Sequence, residues 1–276
     1  MRCDGKRVHD DEPMYEMIPQ FLTKRYDAMN MVTVDIPSQP LREYMNRKRH
    51  ENVPVSHLAL IMTAYAKTAL EFPKLNRFVS GTRRLYQRND FTVAMVVLRQ
   101  DGEGTMSKLS IAPEDTIFSV QEKINAYIEA NRQHDSNKLD KVLKVLLRLG
   151  ILTDLVGFLL RFGDKHGLLP RALVDASPFH ASLLISNLAS IRTNHIYHHV
   201  YEFGTTGVAI TMGNPRMVAK KAGDAAAFER TIPLGIVMDE RIASGWYFSQ
   251  AFARLKRYLR EPDLLEIPIG MNVTNA

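Results

Sequence analysis

The chain has 276 residues, 45% of them hydrophobic and 24% charged, a profile that excludes a low-complexity chain and predicts one α/β domain over residues 1–276. The net charge of +6 is spread along the chain with both signs interspersed, so we expect no nucleic-acid partner. The single cysteine excludes an internal disulfide, and the lack of an apolar leader or a long uncharged stretch predicts a cytoplasmic protein.

The first half of the chain predicts alternating helices and strands. Residues 1–14 are charged and predict a mobile arm or an edge extension. Ser56 is suited to cap the helix that follows it, because its hydroxyl can accept a hydrogen bond from a free N–H of the first turn. Apolar spacing predicts a short helix within residues 15–30, helices over 41–49, 57–72 and 119–132, and strands over 29–36, 83–87, 91–98 and 108–111.

Residues 133–177 predict an amphipathic helical insert. Over residues 139–149 the charged side chains fall on one narrow stripe, and the rest of the predicted helix surface is apolar. One interpretation is a helical pair that packs against the domain or against a neighbouring subunit. The other is a basic hairpin over residues 139–162 that rests on a membrane surface or caps a channel for an apolar acyl chain.

The last third of the chain predicts a strand, a polar loop and a helix in direct succession. The preceding segments predict strands over residues 181–188 and 202–213 and a polar hairpin over residues 215–229. A strand from Ile232 then enters Asp239–Gly245, which we name the signature loop, and a helix follows over residues 246–260. A short loop between two rigid elements can hold reactive side chains firmly, so this loop is the candidate functional centre.

Three stretches resemble the catalytic domain of the 2-oxo acid dehydrogenase acyltransferases. Residues 72–76 (F-P-K-L-N) are similar to an F-P-x-L-N motif of that family, residues 185–188 to its I-S-N-L strand, and the signature loop to its D-H-R-x-x-D-G. The resemblance implies an α/β two-layer sandwich of the chloramphenicol acetyltransferase type, with a mixed β-sheet and packed helices. It also implies a homotrimer with active sites between subunits, or a higher cage, without a lipoyl or subunit-binding domain.

The resemblance assigns a role to each position of the signature loop. Asp239, Arg241 and Gly245 match the family motif. Glu240 stands where the family has its catalytic histidine, and Ser244 stands where it has a second aspartate. The frame of the loop is therefore kept, while both catalytic side chains of the motif are replaced.

Ser186 and Glu240 are the main candidate catalytic residues, and Ser244 is a further candidate at the position of the second aspartate. Ser186 matches the family serine that donates a hydrogen bond to the oxyanion, although a serine on a buried strand can also be bonded by backbone alone. As a general base, a carboxylate with a reference pKa of about 4.3 is weaker than imidazole at about 6.5, a difference of roughly 3 kcal/mol in proton affinity. The other interpretation of Glu240 is a carboxylate paired with Arg241 or with another cation.

A second candidate base lies in the histidine-rich segment that follows Ser186. His198 precedes Glu202 by four residues, so the two side chains can pair if the segment is helical. The histidines otherwise suit surface or subunit contacts. No metal site is expected.

Two functions remain open at this point. The first is a coenzyme-A-dependent acyltransferase with a degenerate site, which takes coenzyme A or an acyl-CoA as substrate and transfers the acyl group to a small molecule. The second is an inactive homologue that serves as a trimeric or cage scaffold, as an acyl-CoA binder or as a regulator. The sequence identifies neither the acyl group nor its acceptor.

Overall fold

The computed structural model describes residues 2–98, 104–132, 151–223 and 225–271. The strands are β1 (Gly5–Arg7), β2 (Met29–Pro37), β3 (Arg77–Val79), β4 (Leu85–Arg88), β5 (Phe91–Leu98), β6 (Gly104–Ile111), β7 (Leu183–Asn187), β8 (Val208–Met212), β9 (Arg216–Ala222) and β10 (Ala225–Asp239). The helices are α1 (Pro13–Phe21), α2 (Ser38–His50), α3 (His57–Glu71), α4 (Ile117–Arg132), α5 (Ile151–His166), α6 (Arg171–Ala176) and α7 (Gly245–Arg260).

The main sheet is mixed, with the strand order β2-β10-β8-β7-β5-β6 and with β9 paired to β10. The pairs β5–β7 and β7–β8 are parallel, and the remaining pairs are antiparallel. Strand β10 is long enough to pair with β9 along its first half and with both β2 and β8 along its second half. Strand β10 therefore carries Asp239 and the signature loop to one end of the sheet.

Helices α2, α3, α4 and α7 pack on one face of this sheet. Side chains alternate along a strand, so Leu234 and Ile236 of β10 enter the helical core while Val237 faces the other side. Helix α3 is buried along most of its length between the sheet, α4 and α7, which explains its many small and apolar residues. This arrangement is the two-layer α/β sandwich predicted from the sequence.

The opposite face of the sheet is crossed by residues 193–201, which we name the strap. The hydroxyl of Thr211 on β8 accepts a hydrogen bond from Ile196 N at 3.1 Å and donates one to Ile196 O. A Cβ at Gly235 on β10 would collide with Ile196 O and would lie 3.0 Å from Cδ2 of His195. The strap therefore lies directly on the sheet, and Gly235 makes room for it.

The charged N-terminal residues form an edge extension. Strand β1 pairs with β4, and β4 pairs with β3, so these three strands make a second, smaller sheet. The guanidinium of Arg2 is buried and forms ion pairs of 2.9 Å with Asp4 and with Asp164 of α5. Residues 2–14 therefore form the edge extension rather than the mobile arm, the two alternatives for residues 1–14.

The described part of the predicted insert consists of α5 and α6, whereas residues 133–150 lie outside the described residues. Helix α5 is attached through Asp164. Its carboxylate accepts hydrogen bonds from Arg2 and from the backbone N–H of Gly204, the latter at 2.8 Å, and it pairs with His180 at 3.1 Å. His180 in turn contacts the hydroxyl of Ser177 at 2.8 Å. This buried polar cluster holds the insert against the domain.

The cluster around Asp164 makes stability depend on pH. Burial favours the neutral carboxyl, but hydrogen bonds and charges from His180 and Arg2 outweigh it and hold the pKa of Asp164 well below its usual range. A carboxylate with a depressed folded pKa stabilises the fold above its unfolded pKa, about 3.9, and loses that contribution as the pH falls towards the folded pKa. We expect Asp164→Asn to lower the Tm at neutral pH and to flatten the fall in Tm below about pH 4. Thermal unfolding measured between about pH 2 and pH 7 checks this prediction. If the Tm of the variant and that of the wild type fell in parallel with pH, the prediction would be contradicted.

Two predicted strand boundaries are wrong by six or seven residues. The strand predicted over residues 202–213 is limited to Val208–Met212, because residues 202–207 make tertiary contacts instead, and Gly204 adopts a φ of +88° where its N–H reaches Asp164. The strand predicted from Ile232 begins earlier, at Ala225, as part of the hairpin with β9. In the described ranges, no helix has both the length and the hydropathy to cross a bilayer.

Candidate active site

The signature loop is anchored by Asp239, the last residue of β10. Its side chain is fully buried and pairs with the guanidinium of Arg241 through contacts of 2.8 and 2.7 Å. The backbone N–H of Arg241 also donates to Asp239 Oδ1 at 3.1 Å, so the loop folds back on its own acid. Asp239 and Arg241 therefore hold the loop in shape rather than face a substrate.

Arg25 completes this anchor from a distant part of the chain. Its Nε lies 3.4 Å from Asp239 Oδ2, and its other nitrogens donate to the carbonyls of Val79, Tyr201 and Gly204. Burial lowers the pKa of Arg25, and the charge of Asp239 opposes that shift. The loop is thus tied to β3 and to the end of the strap by one buried side chain.

Glu240 lies just beyond the end of β10, and its carboxylate forms no ion pair with any residue in the described part of the chain. Its backbone N–H donates to Ala28 O at 2.9 Å, and its carboxylate accepts a hydrogen bond of 2.5 Å from Asn30 Nδ2 on β2. The interpretation in which Glu240 pairs with Arg241 is wrong, because Asp239 already occupies that guanidinium. The carboxylate is partly exposed and held by one neutral donor.

Ser244 caps α7. Its hydroxyl accepts a hydrogen bond of 3.2 Å from the backbone N–H of Tyr247, and the helix begins at Gly245 rather than one residue later. A Cβ at Gly245 would meet no atom within 4 Å, so the structure shows no steric need for glycine there. The side chain that stands in for the family aspartate therefore has a structural task of its own.

We expect Ser244→Ala to reduce the free energy of unfolding by about 1 kcal/mol, because the first turn of α7 loses its cap. Ser244→Asp should not reduce stability, since aspartate is an equally good cap and its charge suits the positive end of the helix dipole. Urea unfolding followed by circular dichroism measures both. A similar loss in the two variants would mean that Ser244 stabilises the fold by another route.

Ser186 lies on the strap face of the sheet, far from Glu240 of the same chain. It is level with Thr211 of β8, which is level with Gly235 of β10. Glu240 is five residues beyond Gly235, so the two candidates are separated by about 17 Å along the sheet and two strand spacings across it, roughly 20 Å in all. A single chain does not bring Ser186 and Glu240 together.

The strap also positions His195, another member of the histidine-rich segment that follows Ser186 in the sequence. His195 Nε2 lies 3.0 Å from the hydroxyl of Thr33 on β2, which is also bonded to the hydroxyl of Tyr197 at 2.6 Å. Burial, together with the charge of Arg216, lowers the pKa of His195. Its position depends on the contacts of the strap with β2, β8 and β10, which no short motif reports.

The proposed pair of His198 and Glu202 is not formed. The segment that contains them is not helical, so the condition for their pairing fails. His198 Nδ1 contacts His199 O at 2.8 Å, and the Glu202 carboxylate accepts a hydrogen bond of 2.7 Å from the backbone N–H of Arg25. Among the residues with described positions, no group of three or more His, Cys, Asp or Glu is arranged to hold a metal ion.

No protein-family model and no curated protein sequence matches the chain, but solved structures do. A dihydrolipoamide acetyltransferase of Azotobacter vinelandii is similar with a TM-score of 0.62 and 13% identity over 94% of each chain. The cubic core of a pyruvate dehydrogenase multienzyme complex gives a TM-score of 0.61 and 14% identity over 94% of each chain. A chloramphenicol acetyltransferase gives 0.56 and 10% identity over 92% of this chain and 99% of that one. The chain has the chloramphenicol acetyltransferase fold.

This acetyltransferase fold confirms the fold class predicted from the three sequence motifs. The likeness extends over nearly the whole chain although only 13% of residues are identical to the Azotobacter vinelandii protein. It therefore establishes the architecture, while the roles of Ser186, Glu240, Ser244 and His198 stay predictions.

Proposed function

We propose that the protein is a coenzyme-A-dependent acyltransferase in which Glu240 is the general base and Ser186 supports the oxyanion. The observation that carries the proposal is the state of Glu240. It occupies the position of the family histidine at the end of β10, is partly exposed, and is held by Asn30 rather than by a cation. The single cysteine, Cys3, suits a reducing compartment such as the cytoplasm.

The spacing of the candidate residues supports this assignment. The Azotobacter vinelandii structure concerns the roles of a serine, a histidine and an asparagine in the catalytic mechanism of that enzyme. Its histidine and asparagine are four residues apart, and its serine precedes the histidine by fifty-odd residues. Glu240 and Ser244 have the same four-residue spacing, and Ser186 precedes Glu240 by a similar interval.

The proposed reaction needs two proton transfers and one hydrogen-bond donor. The Glu240 carboxylate takes the proton of the acceptor thiol or hydroxyl, and the acceptor attacks the thioester carbonyl. The hydroxyl of Ser186 donates a hydrogen bond to the oxyanion that develops. Collapse of the tetrahedral intermediate breaks the carbon–sulfur bond, and the departing coenzyme A thiolate takes the proton back from Glu240.

Such a reaction requires two copies of the chain, because Ser186 and Glu240 are too far apart in one. Apolar side chains are exposed near both. Val96, Ile196 and Tyr197 are 39%, 46% and 43% exposed around the Ser186 end of the sheet, and Trp246 is 73% exposed just beyond the signature loop. Two different surfaces that bind each other produce a closed ring when the rotation between successive copies closes. We propose a homotrimer, which can also build a larger cage.

Complementation between two inactive variants tests the arrangement directly. Acetyl-CoA is offered with dihydrolipoamide as acceptor, and the release of the coenzyme A thiol is measured. Ser186→Ala alone should lower the rate about 10²- to 10³-fold. When chains carrying Ser186→Ala are co-expressed with chains carrying Glu240→Gln, about a quarter of the sites in a randomly mixed ring combine an intact Ser186 with an intact Glu240.

The mixture should therefore recover activity that neither variant has alone. Mixing the two proteins after purification under conditions that prevent subunit exchange is the control, and it should recover none. The proposal that each site is shared between two copies would be contradicted if either variant alone were fully active, or if co-expression recovered no activity.

The alternative, an inactive homologue, rests on the replacement of both catalytic side chains of the motif and on the capping task of Ser244. If the wild-type protein releases no coenzyme A from a panel of acyl-CoA thioesters, the acyltransferase proposal fails. Binding of acyl-CoA without turnover, measured by calorimetry, would then support an acyl-CoA binder or regulator, and an oligomer without binding would support a scaffold.

A further inference from the structure

A cavity of about 400 Å³ adjoins the signature loop, whose Arg241 is among its lining residues. It is enclosed by the segment after α1, by the turn between β3 and β4, by the C-terminal half of α5 and by the segment that follows the strap. The lining residues that matter for its charge are Lys24, Arg25, Arg83, Arg161, Asp164, Lys165, Glu202 and Arg241. Six of these eight side chains are cationic.

The positive charge of the cavity is only partly neutralised. On its floor, Arg25 and Arg241 share the single carboxylate of Asp239. Asp164 is engaged by Arg2 and His180, and Glu202 accepts a hydrogen bond from backbone. The four cations of the rim, Lys24, Arg83, Arg161 and Lys165, are exposed and have no ion pair with any residue whose position is described. A concave site with unpaired charges of one sign attracts a ligand of the opposite sign.

Arg83 occupies its place on the rim in an unfavourable backbone conformation. Its φ is +60°, in the left-handed region that favours glycine and asparagine, and its N–H closes the β3–β4 turn on Ser80 O at 2.8 Å. Residues other than glycine are uncommon in this conformation, and such residues cluster at functional sites. Arg83 thus adds a cation to the lining of the cavity from a backbone position that costs conformational energy.

The α5 wall is held close to this turn. A Cβ at Gly81 would lie 2.8 Å from Cγ of Lys165, so α5 passes directly over the turn. Arg161 and Lys165 are four residues apart and therefore share one side of the helix. The adjoining side is apolar and exposed, with Phe158 at 56% and Phe162 at 47% exposure. The charged wall thus borders a hydrophobic surface.

We propose that this cavity binds the phosphate groups of a ligand. Guanidinium and ammonium groups are the side chains that recognise phosphate oxygens, and four unpaired cations around one cavity suit a group with more than one negative charge. The phosphate can belong to a soluble phosphorylated molecule, or to a lipid head group whose chains would lie against the apolar side of α5. The site contains neither Ser186 nor Glu240, so it does not depend on acyl transfer.

Calorimetric titration of the full chain with pyrophosphate at low ionic strength tests the proposal. We expect saturable binding whose Kd rises about tenfold or more in the Arg161→Ala/Lys165→Ala variant, because two charged donors are lost. The matched control is Arg42→Ala/Arg49→Ala, which removes two exposed arginines from α2 and should leave the Kd unchanged. Arg83→Asn is a second test, since asparagine tolerates the left-handed turn and should weaken binding without loss of Tm.

The source of the phosphate is decided by vesicles. A lipid head group would be assigned if the protein sediments with phosphatidylcholine vesicles that contain phosphatidic acid but not with vesicles of phosphatidylcholine alone. The Arg161→Ala/Lys165→Ala variant should then lose this sedimentation. Pyrophosphate binding without sedimentation would assign a soluble ligand. Absence of both, or an equal loss of binding in the α2 control, would overturn the proposal.

Discussion

Asp239→Asn is expected to lower the free energy of unfolding by about 3–5 kcal/mol, because it leaves two buried guanidinium groups without their shared carboxylate. The side chain of Asp239 is 1% exposed, and those of Arg25 and Arg241 are each 4% exposed. Asparagine has nearly the same shape, so the loss measures the missing charge and not a cavity. Urea unfolding at neutral pH gives the value.

The matched control for this prediction is Asp35→Asn. Asp35 also accepts hydrogen bonds from one arginine, Arg216, in three contacts, but the side chains of Asp35 and Arg216 are 30% and 46% exposed. Exposed ion pairs contribute only about 0.2–1 kcal/mol, so this variant should lose less than the buried one. If both variants lose the same small amount, the anchor of the signature loop is not the arginine pair.

Glu240→Gln is expected to lower the rate of acyl transfer about 10²- to 10⁴-fold, the usual contribution of a general base. The amide keeps the shape of the side chain, and its oxygen can still accept the hydrogen bond from Asn30, so the fold should be unaffected. The rate of coenzyme A release under saturating acetyl-CoA measures the effect. Unchanged activity would remove Glu240 from the mechanism.

Glu240→His distinguishes a weak base from no base. Imidazole has a reference pKa about two units above that of a carboxyl group, so the histidine variant should be at least as active as wild type at neutral pH. The rate should then fall with pH below about 6.5, as the imidazole becomes protonated. If adding Ser186→Ala abolishes the activity of the Glu240→His variant, the two positions belong to one site.

The parts of the structure that depend on neighbouring residues were predictable from the sequence. Ser56 caps α3 as expected, with its hydroxyl accepting from Ala59 N at 3.2 Å. The strand, loop and helix around Asp239 also follow the apolar pattern, and three short motifs together were enough to indicate the fold. These features are encoded within a few residues, where the spacing of apolar side chains and the capping chemistry act directly.

The parts that depend on distant contacts were not predictable. Nothing near Arg25 in the sequence predicts its partner Asp239, which lies 214 positions away. The pairing of His198 with Glu202 requires a helix, but His198 lies in the strap, whose path is set by Thr211 and Gly235 beneath it. Nothing in either local sequence reports on the strand that will lie against it.

The positions of Ser186 and Glu240 at opposite ends of one sheet have a kinetic consequence. If turnover needs both, an isolated subunit carries two incomplete halves, and catalysis is a property of the assembly. Specific activity should then decline on dilution, at the protein concentration at which the ring dissociates, although every subunit stays folded.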